Sequence, residues 1–168
     1  AHVQFKKNIS LVSVIAGKKL NFYKKNLKNI KYFFRVMPNM PAAIGESMNC
    51  ITANLKVNNV ITKEVVQLFS YSGKTLFFMT EKEIDMATAI SGSGPGFVFK
   101  IIDSMQKAAV NLGFKKKIAG TLVLETFKGS IHLLSKSKMS AQELVKTVAT
   151  KGGTTEAGIK LMKKKNID

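Results

Sequence analysis

The first eighty residues alternate short apolar runs with longer amphipathic stretches, which is the pattern of an α/β fold. The apolar runs predict four strands, which span residues 9–16, 32–37, 48–53 and 75–79. The first strand is largely apolar and ends at Gly17, as is typical of a buried strand in a parallel sheet. Between the strands, apolar residues at helical spacing predict helices over residues 18–29 and 60–71.

From residue 81 onward the apolar positions repeat with the helical period up to the C-terminus. Gly94-Pro95 begins a long helix, because proline costs nothing in the first helical turn. A second long helix is predicted over residues 118–135, a third after a Ser-x-x-Glu capping pattern at residues 140–143, and a fourth after Gly152-Gly153. Both long helices are apolar over more than one stripe, which predicts a dimer that exchanges helices.

This change of pattern predicts two domains, an α/β segment at residues 1–80 and an all-helical domain at residues 81–168. A chain of 168 residues that is 45% hydrophobic and 22% charged has a globular composition, which excludes a disordered chain. Its longest apolar runs, such as residues 9–17, are far shorter than the ~18 residues of a membrane span, so no membrane partner is predicted. The single Cys50 permits no internal disulfide, which predicts a reducing, cytoplasmic location.

The formal net charge of +17 raises the question of a nucleic-acid partner. All 27 basic residues except Arg35 are lysines, and they are dispersed along the chain. Recognition of base edges favours arginine, because its planar guanidinium donates two parallel hydrogen bonds. The composition therefore predicts no nucleic-acid partner, and a basic nucleic-acid binder remains an alternative that rests on charge alone. Two histidines, one cysteine and scattered carboxylates predict no metal site.

Three glycine-rich segments are candidates for anion binding. Gly73-Lys74-Thr75 lacks the glycine that a phosphate-binding loop carries five positions before its Gly-Lys pair, so it is predicted to end a helix. The segment 92–96 has three glycines but lacks the spacing of a dinucleotide fingerprint. Gly152-Gly153-Thr154-Thr155 precedes a helix, where backbone N–H groups and two hydroxyls favour a small anion. A plain helix N-cap with a turn is the alternative for this last segment.

Five segments, taken together and in this order, resemble the pyrroline-5-carboxylate reductase family. They are residues 13–17 (SVIAG), 35–41 (RVMPNMP), Glu81 with 85–88 (DMAT), 91–95 (SGSGP) and 152–155 (GGTT). The resemblance covers almost the whole chain. It implies that residues 1–80 are the later part of a Rossmann-like, dinucleotide-binding domain and that residues 81–168 form a helical dimerisation and substrate-binding domain. It also implies homodimers, which often assemble into larger rings.

The resemblance further implies an oxidoreductase of proline biosynthesis, which reduces 1-pyrroline-5-carboxylate to L-proline with NADP or NAD as the cofactor. Val14, Ile15 and Ala16 would line the nicotinamide cofactor, with Asn39 nearby. The substrate would be held by Glu81 and by one loop, which consists of Thr150, Lys151, Gly152, Gly153, Thr154 and Thr155. The Thr155 hydroxyl would assist protonation of the ring nitrogen, so Thr155 is the implied catalytic residue.

The sequence departs from the family pattern in ways that bear on activity. The family's first strand and glycine-rich fingerprint, which cradle the pyrophosphate, have no counterpart in these 168 residues. Thr150-Lys151 stands where the family has Ser-Pro, and Met40 and Phe97 replace the usual threonine and tyrosine. We therefore expect the intact gene product to be the enzyme and this segment alone to be inactive or nearly so. The alternative is a non-catalytic oligomerisation module, either a remnant or a subunit of a split reductase.

Overall fold

The computed structural model describes residues 9–54 and 57–167, and the chain divides into two compact units between Ile101 and Ile102. The N-terminal unit is built on a mixed sheet, whose strands in spatial order are β1 (Ser10–Ser13), β2 (Tyr32–Met37), β3 (Ser47–Ala53) and β4 (Gly73–Phe77). β1 and β2 are parallel, β2 and β3 are antiparallel, and β3 and β4 are parallel. The carboxyl ends of β1 and β2 therefore lie at the same end of the sheet as the beginnings of β3 and β4.

Helices connect the strands of this unit. They are α1 (Leu20–Asn26) after β1, a 3-10 helix (Met40–Ile44) after β2, α2 (Asn59–Ser70) between β3 and β4, and α3 (Glu81–Ala87), which continues through a π-helical turn (Thr88–Gly92). Side-chain caps explain where two of the helices begin, since they satisfy N–H groups of the first turn. The Asn58 side chain accepts a hydrogen bond from the Ile61 N–H, and Thr80 forms a capping box with Glu83.

Two apolar clusters on opposite faces of the sheet form the core of the N-terminal unit. Phe34 and Val36 of β2 pack with Ile51 and Val65 beneath α2. Phe33 points to the other face and packs with Leu20 and Ile30 beneath α1. Successive side chains of a strand point to opposite faces, so the run Phe33 to Val36 is buried throughout because helices cover both sides of β2.

The C-terminal unit consists of helices, and most of their apolar side chains are exposed. Its elements are the end of α4 (Gly94–Asn111), α5 (Lys116–Lys136), α6 (Ala141–Val148) and α7 (Thr154–Lys164). Among the described residues of this unit, only Ala119 and Val123 are buried hydrophobic residues. Large exposed apolar side chains of this unit lie along α4 and α5, and they include Met105, Leu122, Leu124, Ile131 and Leu133. In the described part of the chain, none of the helices has the length and apolar character needed to cross a membrane.

Four polar residues of α5 share one narrow stripe. Thr121, Glu125, Lys128 and His132 are spaced by four, three and four residues, which places them on one face of the helix. The rest of the circumference is largely apolar. A helix that is apolar over most of its circumference is typical of one that is covered by other helices.

The predicted order of an α/β segment followed by an all-helical segment is confirmed. β1 is shorter than predicted, because residues 14–16 leave the sheet as a loop. Leu11 and Val12 are only partly buried, since within the described residues β1 pairs along one side alone. β4 begins two residues earlier than predicted, directly at Gly73. The prediction that Gly73-Lys74-Thr75 ends a helix is wrong, because α2 already ends at Ser70 and these three residues belong to β4.

The N-terminal compact unit extends beyond residue 80. α3 packs against β2 and β3, and its Ile84 is fully buried. The division between the units lies inside α4, after Ile101. Because α3 contributes to the core of the sheet unit, the first helix of the predicted helical domain belongs structurally with the sheet. The predicted domain boundary between residues 80 and 81 stays a prediction.

Candidate functional site

The loop at residues 14–19 follows β1, at the carboxyl ends of the parallel strands β1 and β2. Ser13 of β1 is paired with Arg35 of the parallel β2, so the segments that follow these two strands begin side by side. This arrangement brings the predicted cofactor residues Val14, Ile15 and Ala16 to the same end of the sheet as Asn39. In α/β sheets, ligands bind outside the carboxyl ends of parallel strands. The side chains of Val14 and Ile15 are 51% and 56% exposed there.

Hydrogen bonds hold this loop at both of its ends. At its beginning, the Ser13 hydroxyl lies 2.6 Å from the Tyr23 hydroxyl and accepts a hydrogen bond of 3.3 Å from the Ile15 N–H. At its far end, the Leu20 N–H donates to Glu81 Oε1 over 2.8 Å. The loop therefore spans two fixed points while its apolar residues face solvent.

The Asn39 side chain is engaged in contacts within the protein. Its Oδ1 accepts a hydrogen bond of 3.0 Å from the Met48 N–H, and its Nδ2 donates to the Ser91 carbonyl over 3.0 Å. Its backbone N–H donates to the Ser47 hydroxyl over 3.2 Å. Asn39 thus ties the end of β2 to the start of β3 and to the π-helical turn. A direct contact of Asn39 with the cofactor stays a prediction.

Glu81 belongs to an ion cluster that sequence analysis missed. Arg35 has only 4% of its side chain exposed, and its Nη2 lies 2.8 Å from Asp85 Oδ1. Its Nη1 lies 3.5 Å from Glu81 Oε1, the same oxygen that accepts the Leu20 N–H. Lys19 Nζ approaches Asp85 Oδ2 at 3.9 Å. A signal was present in the sequence, because a charged residue within a buried strand requires paired partners. The predicted contact of Glu81 with substrate stays a prediction.

The predicted substrate loop lies between α6 and α7 in the C-terminal unit. Gly152 has φ of 77°, in the left-handed region that favours glycine. Gly153 is the N-cap of α7, and a Cβ atom there would lie 2.7 Å from Thr150 Oγ1. Thr154, Thr155 and Lys151 are exposed. Because the N-cap is a glycine, no cap side chain covers the N–H groups of the first turn of α7.

Sequence analysis missed Glu156, which lies in the first turn of α7 beside the predicted substrate loop. Its Oε2 accepts a hydrogen bond of 2.8 Å from the Gly152 N–H, and its Oε1 lies 3.0 Å from Lys160 Nζ. The pKa of the Glu156 carboxyl lies below its ordinary value. The larger cause is the hydrogen bond from the Gly152 N–H, and the smaller cause is the contact with Lys160. A glutamate in the first turn of a helix that follows two glycines was the available signal.

Replacing Glu156 by glutamine is expected to lower the free energy of unfolding at neutral pH and to have no effect in acid. Because the folded state lowers the pKa of Glu156, ionisation favours folding. This contribution is fully present above the pKa that Glu156 has in the unfolded chain. It is lost as the pH falls through the lowered pKa that Glu156 has in the folded state. Urea denaturation of both proteins across this acidic range measures the difference. The exposed Glu64 of α2 supplies the control variant Glu64→Gln, and a Glu156→Gln difference that persists in strong acid would contradict the assignment.

The predicted site residues are divided between the two units. The N-terminal unit carries Val14, Ile15, Ala16, Asn39 and Glu81, and the C-terminal unit carries the loop at residues 150–155. Within residues 9–54 and 57–167, no three His, Cys, Asp or Glu side chains are grouped so that they could hold a metal ion.

The chain combines two parts. The first is a Rossmann-like α/β unit with an open loop at the carboxyl ends of two parallel strands, and the second is a set of helices with uncovered apolar faces. Together they define a class of proteins in which an α/β domain is followed by a helical domain. The family model for pyrroline-5-carboxylate reductase dimerisation matches residues 81–168, which is more than half of the chain. The chain belongs to the pyrroline-5-carboxylate reductase family. The family and the fold class predicted from the sequence are therefore confirmed.

Individual relatives agree with this membership. The pyrroline-5-carboxylate reductase of Aquifex aeolicus is 36% identical over 157 residues, which cover 94% of this chain and 59% of that protein. The enzyme of the same name from Arabidopsis thaliana is 35% identical over 158 residues, covering 94% of this chain and 56% of that protein. The chain thus spans less than two thirds of the length of these relatives.

Solved structures agree as well. The crystal structure of Plasmodium falciparum pyrroline carboxylate reductase with NADP bound matches with a TM-score of 0.88 at 32% identity. That match covers 94% of this chain and 63% of the other. A pyrroline-5-carboxylate reductase from Coxiella burnetii matches with a TM-score of 0.86 at 28% identity, over 93% of this chain and 58% of the other.

Proposed function

We propose that the protein to which these residues belong reduces 1-pyrroline-5-carboxylate to L-proline with NADPH or NADH. The observation that carries this proposal is the double-glycine loop before α7, in a chain whose family consists of reductases of this name. The loop offers backbone N–H groups of a helix start together with the exposed hydroxyls of Thr154 and Thr155. These groups suit a substrate that carries a carboxylate beside an imine nitrogen.

The loop residues would bind and orient the substrate. The N–H groups of the first turn of α7 would hold the substrate carboxylate, and the positive charge of Lys151 would favour the same anion. Gly153 lets the backbone approach closely, since a side chain there would collide with Thr150. The Thr155 hydroxyl would hydrogen-bond to the ring nitrogen and assist its protonation, with the proton coming from solvent, as the imine is reduced. In this proposal the loop positions the substrate and assists protonation.

The loop at residues 14–16 fits the nicotinamide part of a cofactor. Val14 and Ile15 present exposed apolar side chains at the carboxyl end of β1, which suit a flat ring of low polarity. When bound, the cofactor supplies the hydride to the imine carbon. A relative of known structure was solved with NADP bound, which supports NADP as the partner of this loop. The cytoplasm stays the predicted location.

The helical unit would assemble two copies of the chain. Its match to a dimerisation domain and the exposed apolar side chains of α4 and α5 support a homodimer, with larger rings built from dimers. Exposed apolar area of this kind is stable in water when a second molecule covers it.

A second candidate function is a non-catalytic oligomerisation module or one subunit of a split reductase. The feature that favours it is the exposed Lys151 in the loop before α7, where the family resemblance implies a proline. In this alternative the helical unit assembles normally, and the 168-residue chain neither turns over substrate nor binds the cofactor.

Thermal unfolding with ligands separates these two functions. Millimolar L-proline is expected to stabilise the chain by about 1.4 kcal/mol at a concentration ten times its dissociation constant, because it binds only the folded state. NADP⁺ is tested in parallel, where added protection would show that the family's pyrophosphate-binding segment is less essential than expected, and D-proline is the stereochemical control. Gly153→Ala is expected to abolish the protection by proline because it crowds the loop, whereas Gly158→Ala has no atom within 4 Å and should retain it.

A turnover assay with 1-pyrroline-5-carboxylate and both reduced cofactors completes the test. Protection by L-proline that Gly153→Ala removes would support the proposed substrate loop. Equal protection by L- and D-proline, or none by either, would favour the oligomerisation module.

A further inference from the structure

Two carboxylates share the buried guanidinium of Arg35, and they differ in one respect. Glu81 and Asp85 lie one helical turn apart on α3 and both approach Arg35, at 3.5 Å and 2.8 Å. Within the described part of the chain, only Glu81 has a main-chain partner as well, because its Oε1 accepts the Leu20 N–H over 2.8 Å. Arg35 has 4% of its side chain exposed, so its guanidinium has little freedom to move.

The Leu20 N–H, which Glu81 accepts, lies directly after the loop at residues 14–19 and fixes the far end of that loop. The other end of the loop is fixed by the Ser13 hydroxyl, which contacts Tyr23 and the Ile15 N–H. The exposed Val14 and Ile15 lie between these points. The position of the Glu81 carboxylate therefore sets where the loop ends, and Arg35 sets the position of that carboxylate.

We propose that Arg35 and Glu81 are positioning residues for the loop at residues 14–19. Arg35 holds the Glu81 carboxylate against the main chain at Leu20, and this contact keeps the loop in the conformation that receives the nicotinamide cofactor. The proposal rests on the proposed function, because it requires this loop to meet the cofactor. Neither side chain touches the cofactor, and both act through the loop.

The pair of variants Glu81→Ala and Asp85→Ala tests the proposal, because each removes one carboxylate from the same guanidinium. Glu81→Ala is expected to weaken NADP⁺ binding about tenfold, since a charge-assisted hydrogen bond that preorganises the loop is lost. L-proline binding is measured in the same variant, because Glu81 is also a predicted substrate residue. Asp85→Ala is expected to lower the unfolding temperature more, because its contact with Arg35 is the shorter one, and to change NADP⁺ affinity less than about twofold.

Isothermal titration of the intact gene product with NADP⁺ and with L-proline, together with thermal unfolding, gives all three readouts. Glu81→Gln is the milder variant in case the alanine variant does not fold, and it is expected to weaken NADP⁺ about threefold, because the amide still accepts the Leu20 N–H without the full charge.

The outcomes separate this proposal from the proposed function. If the unsubstituted intact protein binds NADP⁺ and both alanine variants lose affinity in proportion to their loss of stability, the ion cluster is only structural and the proposal is overturned. Weakened L-proline binding with unchanged NADP⁺ binding in Glu81→Ala would overturn it in favour of a substrate contact. If the unsubstituted intact protein does not bind NADP⁺, the proposed function of this loop fails first, and the positioning role fails with it.

Discussion

Replacing Gly73 by alanine is expected to destabilise the N-terminal unit by about 3–5 kcal/mol. Gly73 begins β4 with φ of 144°, and an added methyl group would overlap the backbone N and O of Ser47 and lie 2.7 Å from its Cα. Ser47 is buried in β3, and its hydroxyl donates to Asn49 Oδ1 over 2.8 Å. Because the obstacle is the main chain of an inner strand, it cannot move aside cheaply. Urea denaturation followed by circular dichroism measures the loss.

Gly45→Ala is the matched control for this prediction. Gly45 has φ of 76° but no atom within 4 Å of the position of an added Cβ. The control therefore carries the cost of the left-handed backbone without the collision, and it is expected to cost about 1–2 kcal/mol. Equal losses of stability from the two substitutions would show that backbone conformation alone explains the effect at Gly73. The predicted collision with Ser47 would then be contradicted.

Replacing Ile131 by glutamate is expected to convert the proposed dimer into monomers, with a rise of about a hundredfold or more in the dissociation constant. The Ile131 side chain is 58% exposed on α5, away from the buried Ala119 and Val123. A second chain that covers this apolar surface would leave the new carboxylate buried without a partner. Sedimentation equilibrium at micromolar concentration measures the change.

The neighbouring His132 provides the control, because it lies on the polar stripe of α5. His132→Glu places the same carboxylate on the same helix, rotated by about 100° toward the polar face. It is expected to leave the dimer intact. Dissociation by both variants, or by neither, would contradict the assignment of the apolar surface of α5 to the dimer interface.

Local sequence signals predicted most of the secondary structure because they act within a few residues. The apolar run from Tyr32 to Met37 coincides with β2, since both faces of that strand are covered. The Ser140–Glu143 capping box forms as predicted and starts α6. The prediction was less accurate at β1, where an apolar run continues through Val14 and Ile15 although the chain has already left the sheet. Apolar residues in an exposed loop and in a strand look alike in sequence.

The roles of individual site residues could not be predicted to the same degree. The sequence places Asn39 and Glu81 within recognisable motifs, but each side chain is engaged by residues distant in the chain. Asn39 joins Met48 and Ser91, and Glu81 joins Leu20 and Arg35. Such contacts depend on strand order and register. The mixed sheet, with its antiparallel pair of β2 and β3, brings these distant residues together.

By itself, the sequence determined the family, the change from α/β to helical structure, and the glycine-rich loop before α7, because these follow from motif order, periodicity and backbone freedom. Only the tertiary structure decided which partners the polar side chains meet. The lone Arg35 is buried between two carboxylates of α3, and one of them, Glu81, fixes the end of the loop at residues 14–19. The physical reason is that a buried charge must be paired, and the choice of partner is made by packing across the sheet and not by neighbours along the chain.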